Sequence, residues 1–369
     1  MKALEKTVPS RMHSVLCGKT SHDAISTEED KERGYCPEVS RRRWRTVGMG
    51  GCLCVLWLMC VLCSCIARVS DASPLTVSEL IQHISDSEEA LRACEADFAV
   101  YFESTGEPYW EGTWGYEDRK GFLRGRQHAV RPDGTKFAYE EVFAFDGERL
   151  FTYQPEPDRA NGNVRELDTD LDTRLSPQML LGYSIRGRGR YRLSEVLGQG
   201  EDSRILSVDE SIDGNSCILL QSIVPMDVMQ TEETVPVALR VWIDPVRNYR
   251  PRRIEQFRDP EAQYLLVVYD DILLDQVDGL WLPESGRRTV YTTIPVPLGG
   301  HTLEEVRSMT GEELRENLEF VVRPSEGGTK RIRVFQWRVL QDIDDSKFKV
   351  EFPPGSRVWD DYAQVNLEI

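Results

Sequence analysis

Cysteine, histidine and positive charge are all scarce in this 369-residue chain beyond its first 68 positions. Of nine cysteines, Cys17, Cys36, Cys52, Cys54, Cys60, Cys63 and Cys65 precede residue 69, which leaves Cys94 and Cys217. Two thiols so far apart in sequence allow one disulfide in an oxidising compartment without requiring it, and they exclude a disulfide-built scaffold. The histidines of this portion, His83, His128 and His301, are distant from one another, and no Gly-x-Ser-x-Gly, His-Glu-x-x-His or P-loop sequence occurs. These absences argue against an enzyme, although a triad assembled from distant positions would leave no such trace. No cofactor is expected. Residues 69–369 carry 34 Lys and Arg against 55 Asp and Glu, a net charge of −21. A field of that sign repels nucleic acid and anionic lipid surfaces at long range, so nucleic acid is excluded as a partner.

Long uncharged stretches are equally rare. One exists, the 22 residues 46–67, which hold no Lys, Arg, Asp, Glu or His. As a helix this run would span a bilayer core of about 30 Å. Arg41, Arg42, Arg43 and Arg45 stand just before it, and the bias that keeps basic residues cytoplasmic predicts that the remainder of the chain passes outward. The same arrangement describes a signal peptide, with Ser70 and Ala72 at peptidase spacing. The run therefore reads equally as a cleaved signal sequence and as a retained transmembrane helix. Leu62-Cys63-Ser64-Cys65 loosely resembles a lipobox in which Cys65 would be lipidated. Ser40-Arg41-Arg42-Arg43-Trp44 has the paired arginines of a twin-arginine signal, but Arg45 stands where an apolar residue is wanted, and a generic basic flank accounts for it better. Residues 1–45 lack apolar periodicity and are expected to be a disordered basic leader. The expected localisation is the cell envelope on the extracytoplasmic, periplasmic side, exported or anchored through residues 46–67.

After this run the pattern changes from helical to extended. Thr76-Val77-Ser78-Glu79 has the form of a capping box, and Leu80, Ile81, Ile84, Leu91 and Cys94 approximate an apolar stripe at helical spacing. From Asp97 the period becomes two, in Phe98, Val100 and Phe102, then Trp110, Gly112, Trp114 and Tyr116, then Phe137, Tyr139, Phe143 and Phe145. Asp146-Gly147 predicts a hairpin into Leu150 to Tyr153. A short apolar segment, 177–181, predicts one or two helical turns. Further strands are expected over 191–197, 204–209, 217–224, 239–243, 252–257, 263–274, 280–283, 287–293, 319–322, 332–340 and 348–352, with a helical insertion at 302–318. Strands dominate and no βα alternation occurs, so the class is α+β, mainly β, with an antiparallel sheet. Strands such as 264–269 are apolar on both parities and need cover on two sides.

Three places carry a resemblance. Phe145-Asp146-Gly147-Glu148-Arg149-Leu150-Phe151-Thr152-Tyr153-Gln154-Pro155 is similar to a hairpin with an Asp-Gly turn and a Tyr-x-Pro exit. Val241-Trp242-Ile243-Asp244-Pro245 with Pro251-Arg252-Arg253-Ile254 resembles a paired strand end and start, and Phe348 to Gly355 with Val358 and Asp360 resembles a closing strand. All three are features of the superfamily of bacterial lipoprotein carriers and their relatives, LolA, LolB, RseB and LppX-like proteins. The resemblance covers residues 75–362 and implies a curved half-barrel of about eleven antiparallel strands whose helices cover the concave face over a cavity for acyl chains. The chain departs from the small carriers at 158–174, at 295–318 and in its anchor, which would suit an acceptor or sensor better than a shuttle.

Trp110, Trp114, Tyr116, Phe137, Tyr139, Phe143 and Phe145 are sheet core in an ordinary sandwich and the ligand-cavity lining in a half-barrel. Arg186, Arg188, Arg190 and Arg192 alternate with Gly187, Gly189 and Tyr191, so an extended backbone would aim four guanidinium groups one way. They would contact an anionic headgroup through forked hydrogen bonds, or else keep an edge strand soluble. Asp270-Asp271, Asp344-Asp345 and Asp360-Asp361 each stand at the end of an expected strand, where adjacent side chains diverge. They suit neither acid/base catalysis nor a metal, save as a lone cation contact. The function expected is an extracytoplasmic lipid- or lipoprotein-binding domain, whose partners are an acyl chain or lipoprotein and an envelope protein. The alternative is a membrane-anchored sensor or interaction protein of the same fold.

Overall fold

The computed structural model describes residues 75–155, 160–166, 175–183, 192–227, 234–302, 304, 305, 309, 313, 317–360 and 365–368. The chain divides into Met1–Ala72 and Ser73–Ile369, and all of the described residues belong to the second unit. The expected leader 1–45 and hydrophobic run 46–67 lie outside them. Among the described residues no helix is long and apolar enough to cross a membrane.

Helix α1, Val77–Glu89, starts as its capping box dictates: the Glu79 amide donates to Thr76 Oγ1 at 3.2 Å and the Thr76 amide to Glu79 Oε2 at 2.8 Å. It buries Leu80 and Ile84. Cys94, expected on its stripe, belongs instead to strand β1, Ala93–Phe102. There the chain alternates between two apolar clusters, Ala93 on one face and Cys94 on the other.

The sheet is curved and unclosed, and it contains more strands than the eleven expected. After β1 come β2 (Pro108–Glu117), β3 (Lys120–Val130), β4 (Lys136–Phe145), β5 (Arg149–Pro155) and β6 (Ala160–Glu166), a meander of consecutive neighbours. The Asp-Gly hairpin forms as expected: Gly147 has φ +103° and Asp146 Oδ1 accepts from the amides of Glu148 and Arg149 at 2.9 and 2.8 Å. A second meander comprises β7 (Glu201–Ile212), β8 (Asn215–Asp227), β9 (Thr234–Asp244), β10 (Arg250–Phe257), β11 (Leu265–Val277), β12 (Leu280–Pro297) and β13 (Leu318–Leu340). Strand β1 pairs with β13 and joins the two meanders side by side. The short strands β14 (Arg357–Asp360) and β15 (Val365–Glu368) extend the β6 edge, and β6–β14 is the one parallel pair among the described strands.

The inner face is covered by α1, by a 3-10 helix Pro177–Leu181 and by helix α2, Leu193–Gly198, over one large cluster that includes Phe98, Trp114, Leu180, Val196, Leu239 and Trp337. On the outer face Phe122, Ala144, Ile343 and Phe348 form a smaller cluster under the segment that follows β13. This outer cover lies over β1, β3 and β4, whereas of residues 264–269 Val267 and Tyr269 join the inner cluster and none joins the outer one.

Four local expectations are corrected. Residues 191–197 were expected as a strand, but Leu193, Val196 and Leu197 also have helical spacing, and they form α2 with all three buried. Residues 348–352 form no strand: Phe348 ends a 3-10 helix, Asp345–Phe348, and is buried on the outer face, while the Phe352 ring fills the space over Gly162. The separate strands expected at 280–283 and 287–293 are one strand, β12, and those at 319–322 and 332–340 are one strand, β13. Asp270 and Asp271 lie within β11 at a bulge, not at its end; Asp271 has φ +50° and both carboxylates meet Arg287.

Candidate functional site

The strand registers decide where the seven aromatic candidates point. Trp110 stands opposite Gln127 and then Tyr139, Trp114 opposite Leu123 and then Phe143, and Tyr116 opposite Gly121 and then Phe145, while Phe137 faces Ala129. Directly paired residues share a face, so all seven lie on the inner face. Their surroundings differ along the strands.

In the middle, the ladder is core. Trp110 stacks on Phe98 with centroids 4.9 Å apart, and its ring lies across Gly112 and Gly125, where a Cβ would come within 2.6 Å of it. Only glycine permits that approach. Trp114 donates its indole N–H to Gln178 Oε1 at 3.1 Å and meets Trp337 edge-on, so the 3-10 helix sits directly over it. Phe143 and Phe145 are buried as well.

At the Tyr116 end the cover is ionic. Tyr116 packs against Tyr183, and its hydroxyl accepts from Arg192 Nε at 3.2 Å. Burial first, offset in part by that bond, holds the Tyr116 phenol above its ordinary range. Arg192 also pairs with Glu89. A cavity of about 440 Å³ opens here beside Tyr116, Arg192, Asp118 and Gly147. Its cations are engaged: Arg119 lies 3.5 Å from Glu195 and Lys120 2.5 Å from Asp345. Arg186, Arg188 and Arg190 lie outside the described residues, so Arg192 is the one member of that series the structure places, and it is tied to the aromatic ladder.

Next to this cavity the carboxylate of Glu88, on α1, accepts from the Leu193 amide at 2.9 Å and from the Ser194 amide and hydroxyl, capping α2. Buried Arg250 donates to the Ser87 carbonyl at 3.0 Å and the Trp281 carbonyl at 3.1 Å, fastening the end of α1 to β12. Desolvation raises the Glu88 pKa to about 7 against the pull of these donors. Cys94 and Cys217 are free, buried thiols, and burial pushes Cys94 up to about 12, out of reach of thiolate chemistry at neutral pH.

At the Phe137 end the cover stops. Phe137 is 37% exposed, and beside it lies a cavity of about 610 Å³ walled by Phe102, Tyr109, Ala129, Val130 and Phe137 and rimmed by Lys136 and Glu107, which pair at 2.6 Å. Sequence reasoning selected Phe137 but not Tyr109, which joins the face because a bulge after Val100 shifts the β1–β2 register. Among the described residues no group of His, Cys, Asp and Glu could hold a metal ion.

No family model and no curated protein matches the chain. Solved structures with a similar course include a DUF1329 family protein from Desulfovibrio piger, 11% identical over 74% of this chain and 97% of its own, with a TM-score of 0.37. A LolA superfamily protein from Nitrosomonas europaea is 14% identical over 75% of this chain and 99% of its own, also at 0.37. The lipoprotein LppX of Mycobacterium tuberculosis is 13% identical over 49% of this chain and 88% of its own, at 0.23. Two of these, the LolA superfamily protein and LppX, bear names given above for the resemblance, and the DUF1329 protein does not. The class rests on the sheet itself, open, curved and covered by helices on one face.

Proposed function

We propose that the domain binds an acyl chain or acylated molecule at the open end of its inner face, on the extracytoplasmic side of the cell envelope. The observation that carries this reading is the change of environment along one aromatic ladder, closed by protein at Trp114 and Tyr116 and open over Phe137 into an apolar cavity of about 610 Å³. That volume is within the range of small-molecule sites. Each methylene buried there is worth about 0.8 kcal/mol, so a long chain binds without a charged contact. The chemistry needs no catalytic group, which fits a carrier or acceptor. The filled centre of the face favours a second reading, an anchored interaction protein whose cavity is too short to matter.

Titration of the full chain with a fluorescent long-chain fatty acid separates the two. Saturable binding is expected, weakened roughly tenfold or more by Phe137→Asp or Tyr109→Asp, which put a charge on the cavity wall, and unchanged by Val246→Asp on an exposed turn. No saturable binding of any acylated probe would leave the interaction-protein reading.

A further inference from the structure

Among the cations of strands β12 and β13, four stand in two adjacent pairs, and the sheet treats the pairs differently. Register sets Arg287 opposite Arg331 and Arg288 opposite Lys330, so one pair faces outward and the other inward. On the outer face each cation has carboxylates. Arg287 Nε lies 2.9 Å from Asp270, and Arg331 donates to both Glu103 oxygens at 2.9 Å and lies 3.4 Å from Asp271.

On the inner face no carboxylate pairs with either cation among the described residues. Arg288 Nε is buried and has no hydrogen-bond partner there. The Lys330 ammonium rests over the Tyr109 ring, 4.0 Å from its centroid, and 5.5 Å from that of Phe102. Burial, and then the charge of Arg288, hold this lysine below its ordinary pKa. Phe102 stands opposite Lys330 and Tyr269 opposite Arg288, so the inner face carries a cross-strand row Phe102, Lys330, Arg288, Tyr269.

Like charges directly opposite in a sheet repel, and a desolvated cation without a counter-ion is costly. A body with 55 acidic residues supplies carboxylates to the same two strands one position away, on the other face. Lys330 rests on two of the rings that wall the open cavity, and Arg288 stands beside it one strand further on.

We propose that Arg288 and Lys330 form a subsite for the oxyanion head, carboxylate or phosphate, of an amphiphile whose chain occupies the cavity of Phe102, Tyr109 and Phe137. This rests on the acyl-binding reading and names the headgroup it takes. The guanidinium offers forked donors and the ammonium a point charge, and an anion between them removes both the repulsion and the unmet donor.

The test is calorimetric titration of the full chain with dodecanoate, dodecyl phosphate, dodecanol and inorganic phosphate. The anionic amphiphiles are expected to bind roughly tenfold more tightly than the alcohol, the margin of one charge-assisted hydrogen bond. The stronger of the two identifies the head as carboxylate or phosphate. That preference is expected to disappear in Arg288→Gln and Lys330→Gln and to survive in Lys330→Arg. Should the glutamine variants not fold, the preference of the unaltered chain and its loss at high salt still decide the matter. Equal affinity for alcohol and anions would overturn the subsite and leave acyl binding intact. Failure of every amphiphile would overturn acyl binding itself, and inorganic phosphate binding without any amphiphile would show a free-oxyanion site in place of a headgroup site.

Discussion

Among the described residues, Glu88 is a buried acid whose shift falls in the neutral pH range. Its carboxylate is desolvated between α1 and α2, and its pKa rises from 4.5 to about 7. A raised folded-state value means that the native protein holds the proton more tightly than the unfolded chain. The associated stability is present in full below pH 4.5 and is lost as pH rises through about 7, by an amount on the order of 3 kcal/mol. In Glu88→Gln this slope is absent. Comparing the two by denaturant unfolding from pH 4.5 to 8 should show the wild type losing ground to the variant over that window, and parallel profiles would contradict the assignment. Glu88 was not legible in the sequence: it sits at the end of a helix pattern beside a run of polar residues, and its burial comes from α2 folding back more than a hundred positions later. The parity of Trp114, Tyr116 and Phe143 was legible, because alternation fixes the face. What covers Trp114 and Tyr116 was not, since Gln178 and Tyr183 arrive from a segment with no periodic signal.

Elements were read well where a terminus carried its own chemistry. The Thr76 capping box and the Asp146-Gly147 turn specify local geometry with local atoms, and both form as the sequence indicates. The residues 191–197 misled because seven positions are too few to separate period two from 3.6; the deciding contact, Glu195 accepting from the Arg192 amide at 3.1 Å, is a helix start. The long strands β12 and β13 were read as fragments because Pro283, Gly286, Gly327 and Gly328 look like punctuation, whereas β12 carries Pro283 and Gly286 through and Leu180 packs on the latter. Helix α1 belongs to the cover of the inner face through Leu80 and Ile84, 0% and 2% exposed. Replacing either by Asp should cost several kcal/mol, because a charge enters a site with no partner. Gln82→Ala, on the exposed side of the same helix, should change unfolding by less than about 1 kcal/mol. Equal midpoints for all three in a denaturant titration would show that α1 is not packed as described.

At the scale of the whole molecule, the joint between the two meanders is a contact between sequence extremes: Arg338 on β13 pairs with Asp97 on β1 across 241 positions. No local pattern encodes such a partner, so the antiparallel class was readable and the order of strands was not. The closure of that joint buries Ile332, Val334 and Trp337 against β1, which offsets the loop-closure entropy of so long-range a contact. A body of this kind, acidic by 21 charges, stands behind Arg41, Arg42, Arg43 and Arg45 and the uncharged run 46–67. The order of basic flank, apolar run and acidic domain motivates the proposal that the sheet works outside the cytoplasm. Alkaline phosphatase is active only where its disulfides form, so a fusion after Ile369 should be active and a fusion after Arg45 inactive. Replacing Arg41, Arg42, Arg43 and Arg45 by Glu should lower the first activity, because the retention signal for the inner flank is then gone. An inactive fusion after Ile369, beside a well-expressed active control, would place the domain in the cytoplasm and remove the envelope from the proposed function while leaving the cavity and its ligand to be judged by titration.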